Sequence, residues 1–224
     1  MPLPPPLPLP GSPASAAGLR LSAVSCRHGG LLAVDAVDLT LAPGEHLAIT
    51  GTNGSGKSTL LRALLGLHRE VSGVIEVAGR RARTPADWAR RRAEVAWIPQ
   101  RQAAGRFPLL VRELLASGGH AGRAFASAED LGVGALLERP LATLSGGQLQ
   151  RAYLARALGQ VAAGAGLVLA DEPTAALDFA GQEQVAGVLA ALPVSVVVVT
   201  HDRVVAQACE RVAEMAAGRL REVR

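Results

Sequence analysis

The chain has 224 residues, which suits one large domain, and its formal net charge of +4 gives no argument for nucleic-acid binding. Hydrophobic residues make up 49% and aromatic residues 3%, which predicts a sizeable core built from Ala, Val and Leu. No apolar run approaches the ~20 residues that span a bilayer, and prolines interrupt the apolar N-terminus, which argues against a signal peptide.

Residues 1–18 form a segment rich in Pro, Ala and Ser that cannot build a core. It contains half of the 14 prolines, which favour extended polyproline geometry. We interpret it as a disordered tail ahead of one domain over residues 19–224. A proline-rich ligand for a partner and a mis-assigned start codon are the alternatives.

Apolar and alternating patterns predict strands separated by helices along the rest of the chain. The predicted strands cover residues 19–26, 34–41, 46–50, 74–77, 95–98, 167–172, 194–200 and a short C-terminal stretch. The predicted helices cover residues 60–65, 149–158, 180–191, a short stretch from Pro85 and another after Asp202. Ser72-Gly73 is predicted as a turn, and residues of about 101–143 as a small helical insert.

This order of elements predicts an α/β fold with a mostly parallel sheet covered on both faces. Residues 80–92 are rich in arginine, and we interpret them as a solvated helix face. A nucleic-acid patch is the alternative, but it would need interleaved exposed aromatics, and only Trp88 is present.

A glycine-rich loop follows the third predicted strand and precedes a helix. It fits the phosphate-binding pattern G-x-x-x-x-G-K-[ST] and comprises Gly51, Thr52, Asn53, Gly54, Ser55, Gly56, Lys57, Ser58 and Thr59. The glycines let backbone N–H groups surround a phosphate at the helix N-terminus. Lys57 is the only lysine of the chain, and a compact ammonium suits such a cradle better than a guanidinium. A chance glycine-rich turn is the alternative.

Polar residues end four of the predicted strands: Thr50, Gln100, Asp171-Glu172 and His201. In an open α/β sheet, ligands bind at the carboxyl ends of the strands, so these residues are expected to meet at the phosphates. We predict that Asp171 and Ser58 hold Mg²⁺, that Gln100 ligates it or positions water, and that Glu172 is the general base. His201 is predicted to donate to the γ-phosphate. Singly, each residue could equally be a loop or structural residue.

These motifs occur in the order found in ATP-binding cassette (ABC) ATPases, which the chain resembles from about residue 19 onward. The loop at Gly51, Gln100, the strand ending at Glu172 and His201 resemble the Walker A, Q-loop, Walker B and switch-histidine motifs. The resemblance implies a P-loop NTPase core with a small N-terminal antiparallel β part and a short helical insert. It also implies ATP as substrate, with Mg²⁺.

A five-residue stretch resembles the signature motif of that family, and it consists of Leu144, Ser145, Gly146, Gly147 and Gln148. Its N–H groups at a helix start offer a second anion site. In the family, this site covers the γ-phosphate of ATP on the other subunit, which implies a dimer with two ATPs between subunits. Asp178 matches the D-loop, which would couple the two sites.

One position departs from the family pattern. His28 stands where an aromatic, often tyrosine, stacks on adenine. An imidazole can stack with less area, and Arg27 could stack instead. A plain turn residue at His28 is the alternative.

The resemblance implies the energy-supplying subunit of a membrane transporter, with separate permease subunits and a second cassette, identical or paralogous. The stretches at Ile98-Pro99-Gln100-Arg101 and residues 107–113 resemble zinc, manganese and other metal or metal-chelate importers, although Leu110 stands where threonine is common. An importer would also use an extracytoplasmic substrate-binding protein, with this chain peripheral at the cytoplasmic face of the membrane.

A soluble cassette ATPase acting on DNA or ribosomes is the alternative function. Proteins of that class usually contain two cassettes, a long coiled-coil insert or zinc-binding Cys pairs, and this sequence shows none of these features. Cys26 and Cys209 are isolated, which favours a reduced, intracellular protein. A nucleotide-binding regulator without catalysis is disfavoured because Asp171 and Glu172 are both present.

Overall fold

The structure is a computed structural model and describes residues 15–100 and 108–224. Its strands are β1 (Leu19–His28), β2 (Leu31–Leu41), β3 (His46–Thr50), β4 (Glu70–Val77), β5 (Arg80–Arg81), β6 (Val95–Ile98), β7 (Leu167–Asp171), β8 (Ser195–Val199), β9 (Arg211–Ala216) and β10 (Arg219–Glu222). Its α-helices are α1 (Lys57–Leu64), α2 (Pro85–Glu94), α3 (Val111–Ala116), α4 (Ala121–Asp130), α5 (Gly146–Ala162), α6 (Phe179–Ala190) and α7 (Arg203–Gln207). Most of the predicted tail and the first part of the predicted insert, at 1–14 and 101–107, lie outside the described residues.

The described strands form two sheets, an antiparallel one in the order β2-β1-β4-β5 and a six-stranded one in the order β10-β9-β3-β8-β7-β6. In the larger sheet β9, β3, β8, β7 and β6 are parallel, and only β10 pairs antiparallel. The predicted α/β fold is confirmed. Because β3, β8, β7 and β6 are neighbours, their carboxyl ends meet at one edge, as predicted.

Two apolar layers cover the larger sheet. Ala48, Ile98 and Val198 face a layer formed by α3 to α7, whereas Ile49 and Val199 face α1 and the antiparallel sheet. Successive side chains of a strand point to opposite faces, so both layers draw on the same strands. Coverage of both faces is therefore confirmed, and β8 is buried along its whole length.

Ser72-Gly73 lies inside β4, so the predicted turn is wrong. Gly73 has a φ of 86°, and the pairing of β1 with β4 shifts register between Ser22 and Ser25. A Cβ on Gly73 would lie 2.4 Å from the carbonyl oxygen of Ala23. Glycine is therefore required at a β-bulge, whose local sequence signal is the same as that of a turn.

The C-terminal strand predicted from the sequence is a hairpin of two strands, β9 and β10. Ala217 and Gly218 join them with φ values of 46° and 81°. A two-residue turn with positive φ at both positions matches the twist of a hairpin.

Helix α2 is arginine-rich, but it is only partly the solvated face that the sequence predicts. Arg91 is 3% exposed. Its guanidinium donates to the carbonyl oxygens of Leu64 at 3.3 Å, Ile75 at 3.5 Å and Arg80 at 2.9 Å. Burial lowers the pKa of Arg91. This side chain therefore ties α2 to the end of α1 and to β4, while Arg90 and Arg92 are exposed.

The described part of the insert contains α3, α4 and two 3-10 turns, Gly134–Leu136 and Leu141–Thr143, and it packs on α5. At the other end of the chain, Ala17 is buried, and its N–H donates to the carbonyl oxygen of Gly166 at 2.9 Å. Residues 15–18 thus contact the domain ahead of its predicted limit at residue 19. Within the described ranges, no helix is long and apolar enough to cross a membrane.

Candidate active site

The glycine-rich loop joins β3 to α1 and has a backbone that only glycine adopts easily. Gly51, Gly54 and Gly56 have φ values of 137°, 80° and 107°. A Cβ on Gly51 would lie 2.1 Å from the carbonyl oxygen of Met215, and one on Gly56 would lie 2.2 Å from that of Ala33. The sequence could not show these two contacts, because their partners lie far away along the chain.

Helix α1 starts at Lys57 without a side-chain cap, so its first N–H groups are available to an anion. Lys57 is 7% exposed. Its ammonium donates to the carbonyl oxygens of Gly51 at 2.7 Å and Thr52 at 2.9 Å. The positive charge therefore lies directly against the loop.

Ser58 and Asp171 meet across the loop. The Ser58 hydroxyl donates to Asp171 Oδ1 at 3.0 Å, and Asp171 is 2% exposed at the end of β7. Burial raises the pKa of Asp171, although the Ser58 hydrogen bond and the charges of Arg62 and Lys57 favour its charged form. A cation at this carboxylate would also favour the charged form.

The donor set at Ser58 and Asp171 fits Mg²⁺, which prefers oxygen ligands and usually takes only one or two carboxylates, with phosphates and water completing the shell. In residues 15–100 and 108–224, no cluster of three or more His, Cys, Asp or Glu could hold a metal ion. The site therefore suits a metal that shares its ligands with a nucleotide.

Glu172 and His201 form a pair that sequence reasoning did not foresee. Glu172 Oε2 lies 2.8 Å from His201 Nδ1 and accepts from the His201 backbone N–H at 3.3 Å. Glu172 is 5% exposed and has a φ of 50°, which is strained for a residue with a side chain. The His201 side chain is 70% exposed. The carboxylate is thus held in place by a histidine that still reaches the surface.

Gln100 follows β6, at the same edge of the sheet as Asp171, and is exposed. The structure therefore places the four predicted strand ends together. Thr50, at the end of β3, is half-buried, and its hydroxyl donates to the carbonyl oxygen of Ala213 at 3.3 Å. Thr50 accordingly supports the strand, and its hydroxyl is used within the fold.

The stretch from Leu144 to Gln148 begins α5. Ser145 Oγ accepts from the Gln148 N–H at 3.2 Å, while Gln148 Oε1 accepts from the Ser145 N–H at 2.9 Å, which forms a capping box. A Cβ on Gly146 would lie 2.9 Å from Ala176 Cβ, and one on Gly147 3.1 Å from the Ala176 carbonyl oxygen. The two glycines therefore also permit close packing on the segment before α6.

Asp178 and His28 are both exposed. Asp178 caps α6, where Oδ1 accepts from the Gly181 N–H at 3.0 Å. The ring of His28 lies 6.4 Å from that of His68, at an angle of 33°. His68 Nε2 lies 2.7 Å from the Arg27 carbonyl oxygen. His68 was not singled out from the sequence, because it is distant along the chain.

Together, strand β3, the glycine-rich loop, α1 and the carboxylates at the end of β7, the second strand from β3 in the parallel sheet, define a P-loop nucleotide hydrolase. Residues 34–175 match the family model of the ABC transporter. The chain belongs to this family. It is the ATP-binding and ATP-hydrolysing subunit of an ABC transporter.

Two similar proteins support this assignment. The chain is 38% identical to a hemin import ATP-binding protein of Rhodopseudomonas palustris, over 91% of this chain and 81% of that protein. It is 37% identical to a zinc import ATP-binding protein of Paramagnetospirillum magneticum, over 82% of this chain and 68% of that protein.

Solved structures show the same fold. A dimeric bacterial ABC transporter cassette, MJ0796, is 27% identical, with a TM-score of 0.81, and covers 92% of this chain and 98% of its own. A metal-chelate type ABC transporter in an inward-facing conformation is 26% identical, with a TM-score of 0.72 over 93% of this chain and 83% of its own.

Proposed function

We propose that this chain powers the import of a metal ion or metal chelate through separate membrane subunits. The observation that carries this proposal is one edge of the sheet, where Lys57, Ser58, Asp171, Glu172 and His201 come together. The metal part rests on relatives that import hemin and zinc and on the likeness to a metal-chelate transporter.

ATP binds with its phosphates in the loop from Gly51 to Thr59. The uncapped N–H groups of α1 and the Lys57 ammonium neutralise the β- and γ-phosphates. When ATP enters, Lys57 exchanges loop carbonyls for phosphate oxygens. Because it is already buried against the loop, little ordering remains to be done.

Ser58 and Asp171 would hold Mg²⁺, and Gln100 at the next strand end would complete its ligands or order the water around it. Mg²⁺ would neutralise charge on the phosphate oxygens as the γ-phosphoryl bond breaks. Asp171 contributes the negative charge that this ion needs, and Ser58 orients the carboxylate through the hydrogen bond between them.

We predict that Asp171→Asn raises the thermal stability of the nucleotide-free protein while abolishing turnover. Burial raises the pKa of Asp171 above its ordinary value of 3.8, so at neutral pH the folded state carries a charge at a cost that the unfolded chain lacks. Asparagine keeps the acceptor for Ser58 and removes the charge. We expect Tm at neutral pH to rise by about 2–4 °C, the shift that ~1 kcal/mol gives at this length.

The pH dependence supplies the check on this prediction. As the pH falls through the raised pKa of Asp171 towards 3.8, the folded wild type takes up a proton. The difference in Tm between the wild type and Asp171→Asn should therefore disappear. Glu183→Gln, an exposed change on α6, is the matched control and should move Tm by no more than about 1–2 °C. An unchanged or lower Tm for Asp171→Asn would contradict the cost of burying this charge.

Glu172 is the general base that polarises the attacking water. In this structure His201 Nδ1 contacts the Glu172 carboxylate, and the exposed ring can exchange that contact for one with the γ-phosphate when ATP binds. The strained backbone at Glu172 is consistent with a position set by function, because strain of this kind concentrates at active sites.

His28 carries the adenine ring, supported by His68. The His68 contact with the Arg27 carbonyl oxygen fixes the end of β1, next to His28, whose ring is exposed. The β1–β2 hairpin reaches the phosphate loop, since Ala33 faces Gly56. Base and phosphates are therefore held by neighbouring parts of the chain.

The chain works as a pair of cassettes, identical or paralogous. The exposed capping box at Ser145 presents the N-terminus of α5 to an ATP held by the other subunit, and Asp178 lies at the interface between them. The membrane subunits dock on the face formed by Gln100 and the helical insert. This places the chain at the cytoplasmic face of the membrane, with an extracytoplasmic binding protein delivering the substrate.

Reconstitution with its membrane subunits tests this function. In proteoliposomes, we expect hemin or Zn²⁺, but not both equally, to raise ATP turnover several-fold and to enter the vesicles only with ATP. Glu172→Gln in the same vesicles should stop uptake. ATP-driven uptake of a substrate without metal would overturn the metal assignment. ATP turnover that neither the membrane subunits nor the substrate changes would overturn the role in transport.

A further inference from the structure

Strand β6, which leads to Gln100, is an edge strand among the described residues. Side chains of helix α5 bind the backbone on its unpaired side. Strand β6 pairs with β7 on one side and is the last strand of its sheet. On the other side, the Trp97 N–H donates to Gln160 Oε1 at 3.2 Å, and Arg156 Nη2 donates to the Trp97 carbonyl oxygen at 2.7 Å. Two side chains one turn apart on α5 thus make the hydrogen bonds that a further strand would make to Trp97.

Arg156 contacts the Tyr153 ring as well as the Trp97 carbonyl oxygen. It is half-buried, and burial lowers its pKa. Its guanidinium carbon lies 5.4 Å from the centre of the Tyr153 ring. Over the described ranges, no salt bridge joins Arg156 to a carboxylate, and its buried Nε has no hydrogen-bond partner. A cation kept in such a place is costly, which favours a specific task for its bond to Trp97.

The position of this contact connects two parts of the proposed site. Helix α5 begins next to Ser145, and Arg156 follows about 16 Å along it at 1.5 Å per residue. Trp97 lies just ahead of Gln100. A Cβ on Gly118, beyond the end of α3, would lie 2.8 Å from the Arg156 carbonyl oxygen, so the insert packs tightly at the same point.

We propose that Arg156 and Gln160 are positioning residues that fix Gln100 to the helix carrying Ser145. Through them, the backbone that leads to Gln100 is bonded to the helix whose N-terminus follows Ser145. This proposal rests on the proposed roles of Gln100 and Ser145. It adds the link between them, since neither Arg156 nor Gln160 touches nucleotide.

The test measures kcat, KM for ATP and Tm for Arg156→Met and Gln160→Met in the full chain. We expect kcat to fall about tenfold with KM nearly unchanged, because placement of the closed site is lost while ATP binding is kept. Gln160→Glu keeps the acceptor for Trp97, and Arg156→Lys keeps a donor, so both should recover much of the loss. Arg221→Met, an exposed change on β10, is the control and should leave kcat unchanged.

A double-mutant cycle with Gln100→Ala separates positioning from simple support of the fold. If Arg156 acts through Gln100, then Arg156→Met should cause no further loss of kcat in the Gln100→Ala protein, while its effect on Tm persists. Additive losses of kcat, or losses that follow Tm in every variant, would overturn the link alone. An unchanged kcat for Gln100→Ala would overturn the proposed role of Gln100, and the link with it.

Discussion

Glu172→Gln is expected to reduce ATP turnover by about 10²- to 10⁴-fold, the usual contribution of a positioned general base. Glutamine fills the same space at the end of β7 and keeps an oxygen for the His201 N–H, so the fold should persist. ATP binding should also persist, because Lys57 and Ser58 are untouched. Phosphate release in the steady state measures the loss.

The same variant should accumulate as an ATP-bound dimer. In the proposed mechanism hydrolysis reopens the pair of cassettes, so we expect a protein that binds but does not hydrolyse ATP to be trapped in the closed form. Size-exclusion chromatography with and without MgATP detects this shift. Glu183→Gln, exposed on α6, is the matched control and should neither lose turnover nor dimerise more than wild type.

Turnover within threefold of wild type would remove Glu172 from the proposed mechanism. A monomer in MgATP, together with lost turnover, would instead keep Glu172 as the base. It would then show that this chain needs a different cassette or the membrane subunits to close.

Local motifs made much of the site predictable from the sequence. The glycine-rich loop, Ser145 with Gln148, and Asp171 with Glu172 are short patterns whose meaning comes from neighbours in the chain. Buried β-branched strands such as β8 predicted a parallel sheet, and the parallel sheet predicted that the strand ends meet. These inferences need no knowledge of distant contacts.

What the sequence did not reveal depends on residues that are far apart along the chain. The pairing of Glu172 with His201 and the contact of Met215 with Gly51 join residues from different elements. Gly73 shows the same limit, because only the strand opposite decides between a turn and a bulge. Arg91 became buried because the carbonyl oxygens that it binds come from three separate elements or their ends.

Replacing Lys57 by arginine should lower the affinity for ATP by about 100-fold. Two charge-assisted hydrogen bonds to phosphate are at stake, each of about 1.5–3 kcal/mol, and some compensation by the retained charge is expected. The ammonium fits between loop carbonyls at 2.7 and 2.9 Å and is 7% exposed. A planar guanidinium is too large for that space.

Two properties of the chain make this experiment sharp. Arg62→Lys, the reverse exchange at an exposed position on the same helix, is the matched control and should leave ATP affinity unchanged. Lys57 is also the only lysine, so an amine-reactive reagent can modify only Lys57 and the N-terminal amine. ATP should protect Lys57 from modification, which mass spectrometry detects. If Lys57→Arg bound ATP as tightly as wild type in a nucleotide titration, the phosphates could not lie against this side chain, and the site would have to be assigned elsewhere.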